Sequence, residues 1–171
     1  MIRSGTIEDA AMLAELGART FSETFAPDNT PANMAGYLAA SFRPIQQAAE
    51  LADPNSTFLI ADVDGTAVGY AMLRAGLAPK AITGENPIEL VRLYVSRDHI
   101  GSGVGAALMS ECISEALRRN HKTIWLGVWE RNHRAQEFYR KWGFVEVGTH
   151  VFELGEDRQT DLLMQRAISE Q

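Results

Sequence analysis

From Val104 to Leu117, apolar side chains recur at 104, 108, 112 and 116, with Met109, Ile113 and Leu117 alongside, which predicts a helix with one broad buried face. A shorter stripe of Ala10, Leu13, Ala14, Leu16 and Gly17 predicts a first helix running to about Phe21, opened by Thr6 and Asp9 in a capping-box arrangement. Met1–Ser4 before it reads as a short strand, and Phe21–Pro31 after it as a connector. Two further helices are expected over Asn33–Phe42 and Ile45–Leu51, separated by Pro44 and placed to cover a cleft. The strand-forming runs Thr57–Ala61 and Ala67–Leu73 flank Asp64-Gly65, the turn chemistry of a tight antiparallel hairpin. Gly76–Pro87 reads as a loop, Ile88–Val95 and Thr123–Trp129 as strands, Asn132–Trp142 as a helix stopped by Gly143, and Phe144–Leu154 and Thr160–Ala167 as closing strands.

Composition narrows what such a chain does. With 171 residues, 46% hydrophobic and 22% charged, residues 1–171 are expected to form a single folded domain. A formal net charge of −6 opposes general binding to nucleic acid or to an anionic membrane, and favours cationic substrates without naming one. Cys112 stands alone, so no internal disulfide is expected, and no Cys/His cluster has metal-ligand spacing. Apolar runs are broken by charges well before the roughly 20 residues that span a bilayer, and the start lacks an export pattern. A cytoplasmic protein without a metal is expected.

The stretch Glu89-Leu90-Val91-Arg92-Leu93-Tyr94-Val95, a polar link, then Ile100-Gly101-Ser102-Gly103-Val104-Gly105-Ala106 reads as a strand feeding a glycine turn that opens a helix. Glycines there permit positive φ and close ligand approach, and the unpaired amides of the helix start bind phosphate oxygens. The turn alone leaves rivals. Gly101-x-Gly103-x-x-Ala106 fits a permissive dinucleotide fingerprint, with Glu130 near the position of a ribose-binding acid, and a purely structural tight turn needs no ligand. A P-loop is disfavoured because no Gly-Lys-Ser/Thr follows. The Asp-Gly hairpin ahead of the turn argues for a mixed, largely antiparallel sheet instead of a dinucleotide fold.

A second constellation, Asn132-His133-Arg134-Ala135-Gln136-Glu137-Phe138-Tyr139-Arg140-Lys141-Trp142-Gly143-Phe144, follows downstream. Together with the glycine turn it resembles the GNAT superfamily of acetyl-CoA-dependent N-acetyltransferases over most of the chain. The resemblance implies a mixed α/β fold: a mostly antiparallel sheet of six to seven strands, a splayed parallel pair at its centre, and flanking helices. Trp125–Asn132, Val151–Gly155 and Gln159-Thr160-Asp161 resemble more narrowly the PaiA-type spermidine/spermine N-acetyltransferases. One departure is Ile100, where the family turn commonly begins with Gln or Arg.

What the resemblance implies about the site is specific. Backbone groups of Leu93, Tyr94 and Val95 would meet the pantetheine arm. The turn Ile100, Gly101, Ser102, Gly103, Val104, Gly105 and Ala106 would cradle pyrophosphate, with Asn132, Ala135 and Lys141 beside the cofactor. Tyr139 would protonate the departing thiolate, and Glu89, or alternatively Glu130, would act as base for the amine. Phe25 and Tyr37, with Phe21, either line the acceptor cleft or pack the helical cap, and Glu130 is a further acceptor-side candidate. Cys112 reads as a buried small side chain, which favours direct transfer, and the four histidines form no triad. The expected reaction is acetyl transfer from acetyl-CoA to a small-molecule primary amine, with a polyamine leading. Another amine acceptor, a non-catalytic acyl-CoA sensor and a dinucleotide-dependent oxidoreductase are the alternatives. A homodimer is compatible with this reading.

Overall fold

The structure, a computed structural model, describes residues 1–170. A seven-stranded sheet runs in the order β1-β2-β3-β4-β5-β7-β6. Its strands are β1 (Ile2–Ser4), β2 (Ser56–Val63), β3 (Thr66–Ala75), β4 (Pro87–Val95), β5 (Thr123–Trp129), β6 (Val145–Leu154) and β7 (Asp157–Ala167). Helices α1 (Ala10–Phe25), α2 (Pro31–Ser41) and α3 (Pro44–Ala52) cover one face, and α4 (Val104–Arg118) and α5 (His133–Lys141) the other. Every neighbouring strand pair is antiparallel except β4 with β5. The mixed sheet expected from the hairpin and from the family resemblance is therefore the sheet observed.

The local signals act as their chemistry requires. Asp64 and Gly65 both adopt positive φ, +50° and +78°, the twist that lets a two-residue turn join right-handed strands. The Thr6 amide donates to the Asp9 carboxylate at 2.8 Å, and Arg3 binds that same carboxylate at 3.0 Å, tying β1 to the start of α1. Helix α1 runs one turn further than its stripe predicts. Phe25 stacks on Phe21 one turn earlier, with ring centroids 4.3 Å apart, so the aromatic pair carries the helix through the polar Ser22-Glu23-Thr24. Helix α2 likewise starts earlier, at Pro31, because proline suits the first helical turn and the Thr30 hydroxyl accepts from the Asn33 amide.

Two cores sandwich the sheet. On the α4/α5 face Leu73, Ile88, Leu108, Met109, Cys112, Ile124 and Met164 are sealed from solvent, with Leu90, Leu126 and Phe144 nearly so. On the other face Leu13, Leu16, Phe58, Ile60, Tyr70 and Met72 pack under α1 and α3. The central strands are thus apolar on both faces, and their polar backbone must be satisfied within the sheet.

That requirement is broken at one place. β4 pairs with β5 only through Pro87↔Thr123, Ile88↔Ile124 and Glu89↔Trp125, and beyond these the two strands part. On its other edge β4 stays paired to β3 as far as Val95, with a bulge that inserts Val91 between Leu90 and Arg92. A bulge bends its strand and increases local twist, which turns β4 away from β5 while the β3 ladder is kept. Ile88, fully buried at the closed end of the parting, holds that junction together. Ile88→Ala is expected to lower unfolding free energy by about 2–5 kcal/mol in urea titration, the range for a large-to-small change in a sealed core.

Candidate active site

The parting of β4 and β5 opens into a cleft of about 670 Å³ that passes through the sheet and touches elements from both faces. On the α4/α5 face its wall includes Gly101, Gly103, Gly105 and Ala106 of the turn, together with Asn132, Ala135, Tyr139 and Lys141. Leu93, Tyr94 and Val95 line the open edge of β4. Glu89, Phe25 and Tyr37 complete the wall toward α1 and α2. Most of the residues singled out by sequence, scattered from 25 to 141, therefore meet in one cavity.

The turn is built for close approach. Gly101 and Gly103 have φ of +82° and +93°, and a Cβ at either would meet no other atom of the chain within 4 Å, so the space above them is open. Among the described residues, the amides of Gly101, Gly103, Val104, Gly105 and Ala106 donate to no backbone acceptor, whereas that of Ala107 reaches the Gly103 carbonyl at 3.0 Å and begins the helical ladder. Five free amides at the positive end of a 15-residue helix form an anion cradle. Ile100 borders the cleft and contributes no polar side chain. Ser102 and Val104 belong to the turn but face away from the cavity, and the Ser102 hydroxyl instead bonds the His99 carbonyl. Lys141 and Arg134 bring two cations to the same side. Arg134 lies within the motif but carried no separate signal in the sequence.

Asn132 caps α5, its Oδ1 accepting from the Ala135 amide at 3.2 Å, which fixes the helix that carries Tyr139 one turn beyond Ala135. Tyr139 packs edge-on against Phe144, centroids 5.7 Å apart, and is nearly buried. Burial, with a smaller push from Cys112, raises its phenol far above the ordinary tyrosine value, so it keeps its proton at neutral and moderately alkaline pH. Its ring borders the cleft, as does Tyr94, whose phenol desolvation also pushes well above the ordinary tyrosine value.

The two acidic candidates separate. Glu89 sits at the last paired position before the strands part, half-buried, with one carboxylate oxygen 3.3 Å from Arg74 on β3. Glu130, one residue past β5, is exposed and stands outside the cleft wall. Its amide pairs with Thr160 and its carbonyl accepts from Gln136.

The α1/α2 side holds the expected Phe21, Phe25 and Tyr37, joined by Trp129 and Phe152, which no sequence pattern had grouped with them. Phe25 lies 5.1 Å from Trp129 and 6.5 Å from Phe152, and Tyr37 lies 4.5 Å from Phe21 and 5.5 Å from Phe152, all as ring centroids. Phe21, Phe25 and Tyr37 pack the cap and border the cleft at once. Arg92, bonded to Glu50 of α3 at 2.7 and 3.1 Å, anchors the cap to β4 and lies 5.3 Å from the Phe42 ring centroid. His150 and Asp161 complete this side of the cleft. His99 borders the turn, its Nδ1 paired with the Ser96 hydroxyl at 3.2 Å.

Comparison with known proteins places this arrangement. The model of the acetyltransferase (GNAT) family matches residues 12–144. An uncharacterized N-acetyltransferase of Mycobacterium bovis is 37% identical over 160 residues, covering 94% of this chain and 98% of that protein. One of Lactobacillus delbrueckii subsp. lactis is 33% identical over 161 residues, covering 94% and 93%. Among solved structures, a PaiA N-acetyltransferase of Thermoplasma acidophilum, in complex with coenzyme A, superposes with a TM-score of 0.77 at 22% identity over 98% of both chains. A probable acetyltransferase of Staphylococcus epidermidis reaches 0.78 at 14% identity, covering 99% of both. Identities this low speak for a shared fold alone.

Cys112 is sealed inside α4, and burial pushes its thiol up to about 12. At pH 8 it is expected to react with a disulfide reagent such as dithionitrobenzoate at less than about one-hundredth of the rate seen after unfolding in urea, because the thiolate is the reactive form. Fast labelling of the folded protein would reopen the question of an acyl-cysteine route.

Proposed function

The chain belongs to the GNAT family of acetyl-CoA-dependent N-acetyltransferases, and from that premise we propose that it transfers acetyl directly to a primary amine of a polyamine such as spermidine or spermine. The observation that carries the reading is the through-sheet cleft, with an anion cradle and a protonated phenol on one side and an acid among aromatic rings on the other. The cofactor site and the acceptor site are then the two mouths of one opening.

The residues present fit the group the family uses. The free amides of the turn suit pyrophosphate oxygens, Lys141 and Arg134 add positive charge, and the unpaired edge of β4 at Leu93, Tyr94 and Val95 offers an extended partner the hydrogen bonds that β5 does not take. When bound, acetyl-CoA supplies an acetyl group activated as a thioester. An unpaired β4 amide would serve the thioester carbonyl as a preorganised donor, a contribution of about 2.7–4 kcal/mol in comparable oxyanion sites. Because the cradle acts through backbone, Ile100 in place of a longer polar side chain removes one contact and leaves the rest.

On the acceptor side the task is to free a lone pair. An alkyl ammonium holds its proton at neutral pH with a pKa of about 10.4, so a base must take it. Glu89 is assigned this role because it faces the cleft where the strands open, whereas Glu130 stands outside it. A water relays the proton where the amine nitrogen lies beyond direct reach. Tyr139 holds on its Oη the proton that a departing sulfur needs, and its buried setting keeps that proton in place until then. A non-catalytic sensor would need the cradle but neither of these groups, and a dinucleotide oxidoreductase would need a parallel sheet around the turn.

Tyr139→Phe is expected to bind acetyl-CoA with wild-type affinity by calorimetry and to lose about 10²-fold or more in kcat under conditions where chemistry limits the rate. Unchanged turnover would remove the phenol from the reaction. Thiol release from acetyl-CoA across a panel of amines, with product masses checked, tests the acceptor. Spermidine or spermine is expected to exceed neutral-side-chain amino acids in kcat/KM, with KM rising as salt is added because the attraction is screened. Equal or poorer use of polyamines would sink that acceptor while leaving the transfer chemistry standing.

A further inference from the structure

Asp161 is a carboxylate in an unusual position. It lies on β7 opposite Trp129 of β5, is about nine-tenths buried, and borders the cleft. Among the described residues its side chain takes part in no hydrogen bond and no ion pair. His150 faces it across the β6–β7 ladder without bonding to it. Although the residue is largely buried, its carboxylate oxygens are not sealed and open on the cleft, where a donor other than the protein can reach them.

The carboxylate leans toward the opening. A Cβ built on Gly127 would lie 3.1 Å from Asp161 Oδ2 and 3.3 Å from His150 Cε1, so the acid occupies the space over β5 that a side chain at 127 would fill. Gly127 lies two residues beyond the last β4–β5 pair and is exposed to the cleft, which leaves the acid open to it. The rings of Trp129, Phe25 and Phe152 wall this corner, with Phe25 set between the other two. An anion flanked by aromatic faces is the chemistry that recognises an ammonium group, pairing with its charge and covering its alkyl chain.

We propose that Asp161 is the anchor for an alkylammonium group of the acceptor, reached through the gap left by Gly127. This rests on the amine-acceptor reading above and gives it a specificity-determining residue. The bound ammonium donates to the Asp161 carboxylate while a different nitrogen of a long acceptor chain reaches toward Glu89, whose β5 partner Trp125 stands four residues from Trp129, the partner of Asp161. An acceptor with at least two ammonium groups is thereby selected over a monoamine.

Electrostatics agree with that role. Burial pushes the Asp161 carboxyl up to about 6, and His150 draws it partly back. The other titratable group facing it is Tyr37 of α2, which burial keeps protonated and neutral. β5 presents Gly127 and Trp129, with Arg131 over the Trp129 ring, and α1 presents Phe25. A carboxyl whose folded pKa lies above its unfolded value holds its proton more tightly when folded. Stability of the free protein therefore falls as pH rises from about 4 through 6, and the ionised acid at pH 7 is a cost carried for binding.

The test is calorimetric titration of 1,4-diaminobutane into the CoA-saturated protein at low salt, for wild type, Asp161→Asn and Gly127→Ala. Wild type is expected to bind the diamine and to lose affinity as pH falls through about 6. Asp161→Asn is expected to weaken binding at least tenfold, to keep CoA affinity, and to melt at a higher temperature than wild type at pH 7. Gly127→Ala, which keeps the charge but crowds its approach, is expected to weaken diamine binding by a smaller factor. Wild-type diamine affinity in Asp161→Asn, or no diamine binding by wild type, overturns the proposal. Kinetics separate the two levels. Polyamine turnover with an unchanged KM in Asp161→Asn removes the anchor and spares the acceptor reading. Diamine binding that depends on Asp161, with thiol release only for other amines, removes the polyamine as acceptor and spares the anchor.

Discussion

The function of this protein depends on an unfinished strand pair. Backbone amides and carbonyls in a sealed sheet must find partners, and along β4 and β5 they do so for only three residue pairs before the strands diverge. Had the pairing continued to Val95, the sheet would be more complete and would have no opening. The bulge at Val91 makes the divergence affordable, since β4 bends away from β5 without giving up β3. The exposed edge that results is a binding surface for an extended ligand, and it brings both faces of the sheet to a single point.

Each face then contributes what its helices carry. On one side α4 starts with glycines that leave its first amides free, and α5, capped by Asn132, carries Tyr139 to the wall of the cleft. On the other, α1 and α2 supply rings and β7 an acid, held by the ion pair between Arg92 and Glu50 that fastens the cap to β4. The division suits acetyl transfer, in which an amine acceptor must approach the thioester carbon of a large anionic donor from another direction. Arg134, Lys141 and the free amides stand at one mouth and Glu89 and Asp161 at the other, with Glu137 and Arg92 also in the wall.

Two of the functional features are destabilising on their own. Asp161 is a largely buried acid and the β4 edge is unpaired. Such features persist because the two cores on either side of the sheet stabilise the fold independently of the cleft.

Read by itself, the sequence determined the elements, their order and the glycine turn. These are local properties: a stripe of apolar residues at helical spacing, Asp-Gly between two β-branched runs, or glycines ahead of an amphipathic helix states its conformation within a dozen residues. Its errors were also local, as at Phe25, where a ring stacked on the previous turn extended a helix whose polar residues pointed to a connector. Which acid borders the cleft was decided only by the tertiary structure. Glu89 and Glu130 both sit at strand ends and are equivalent in sequence, yet strand pairing sets the first at the mouth of the cleft and the second in solvent. Asp161 has an ordinary place in a strand, and nothing within a dozen residues marks it as buried. Its burial and its view of the cleft come from Trp129, Gly127 and Phe25, which lie more than 30 positions away and meet it only because the sheet runs in the order it does.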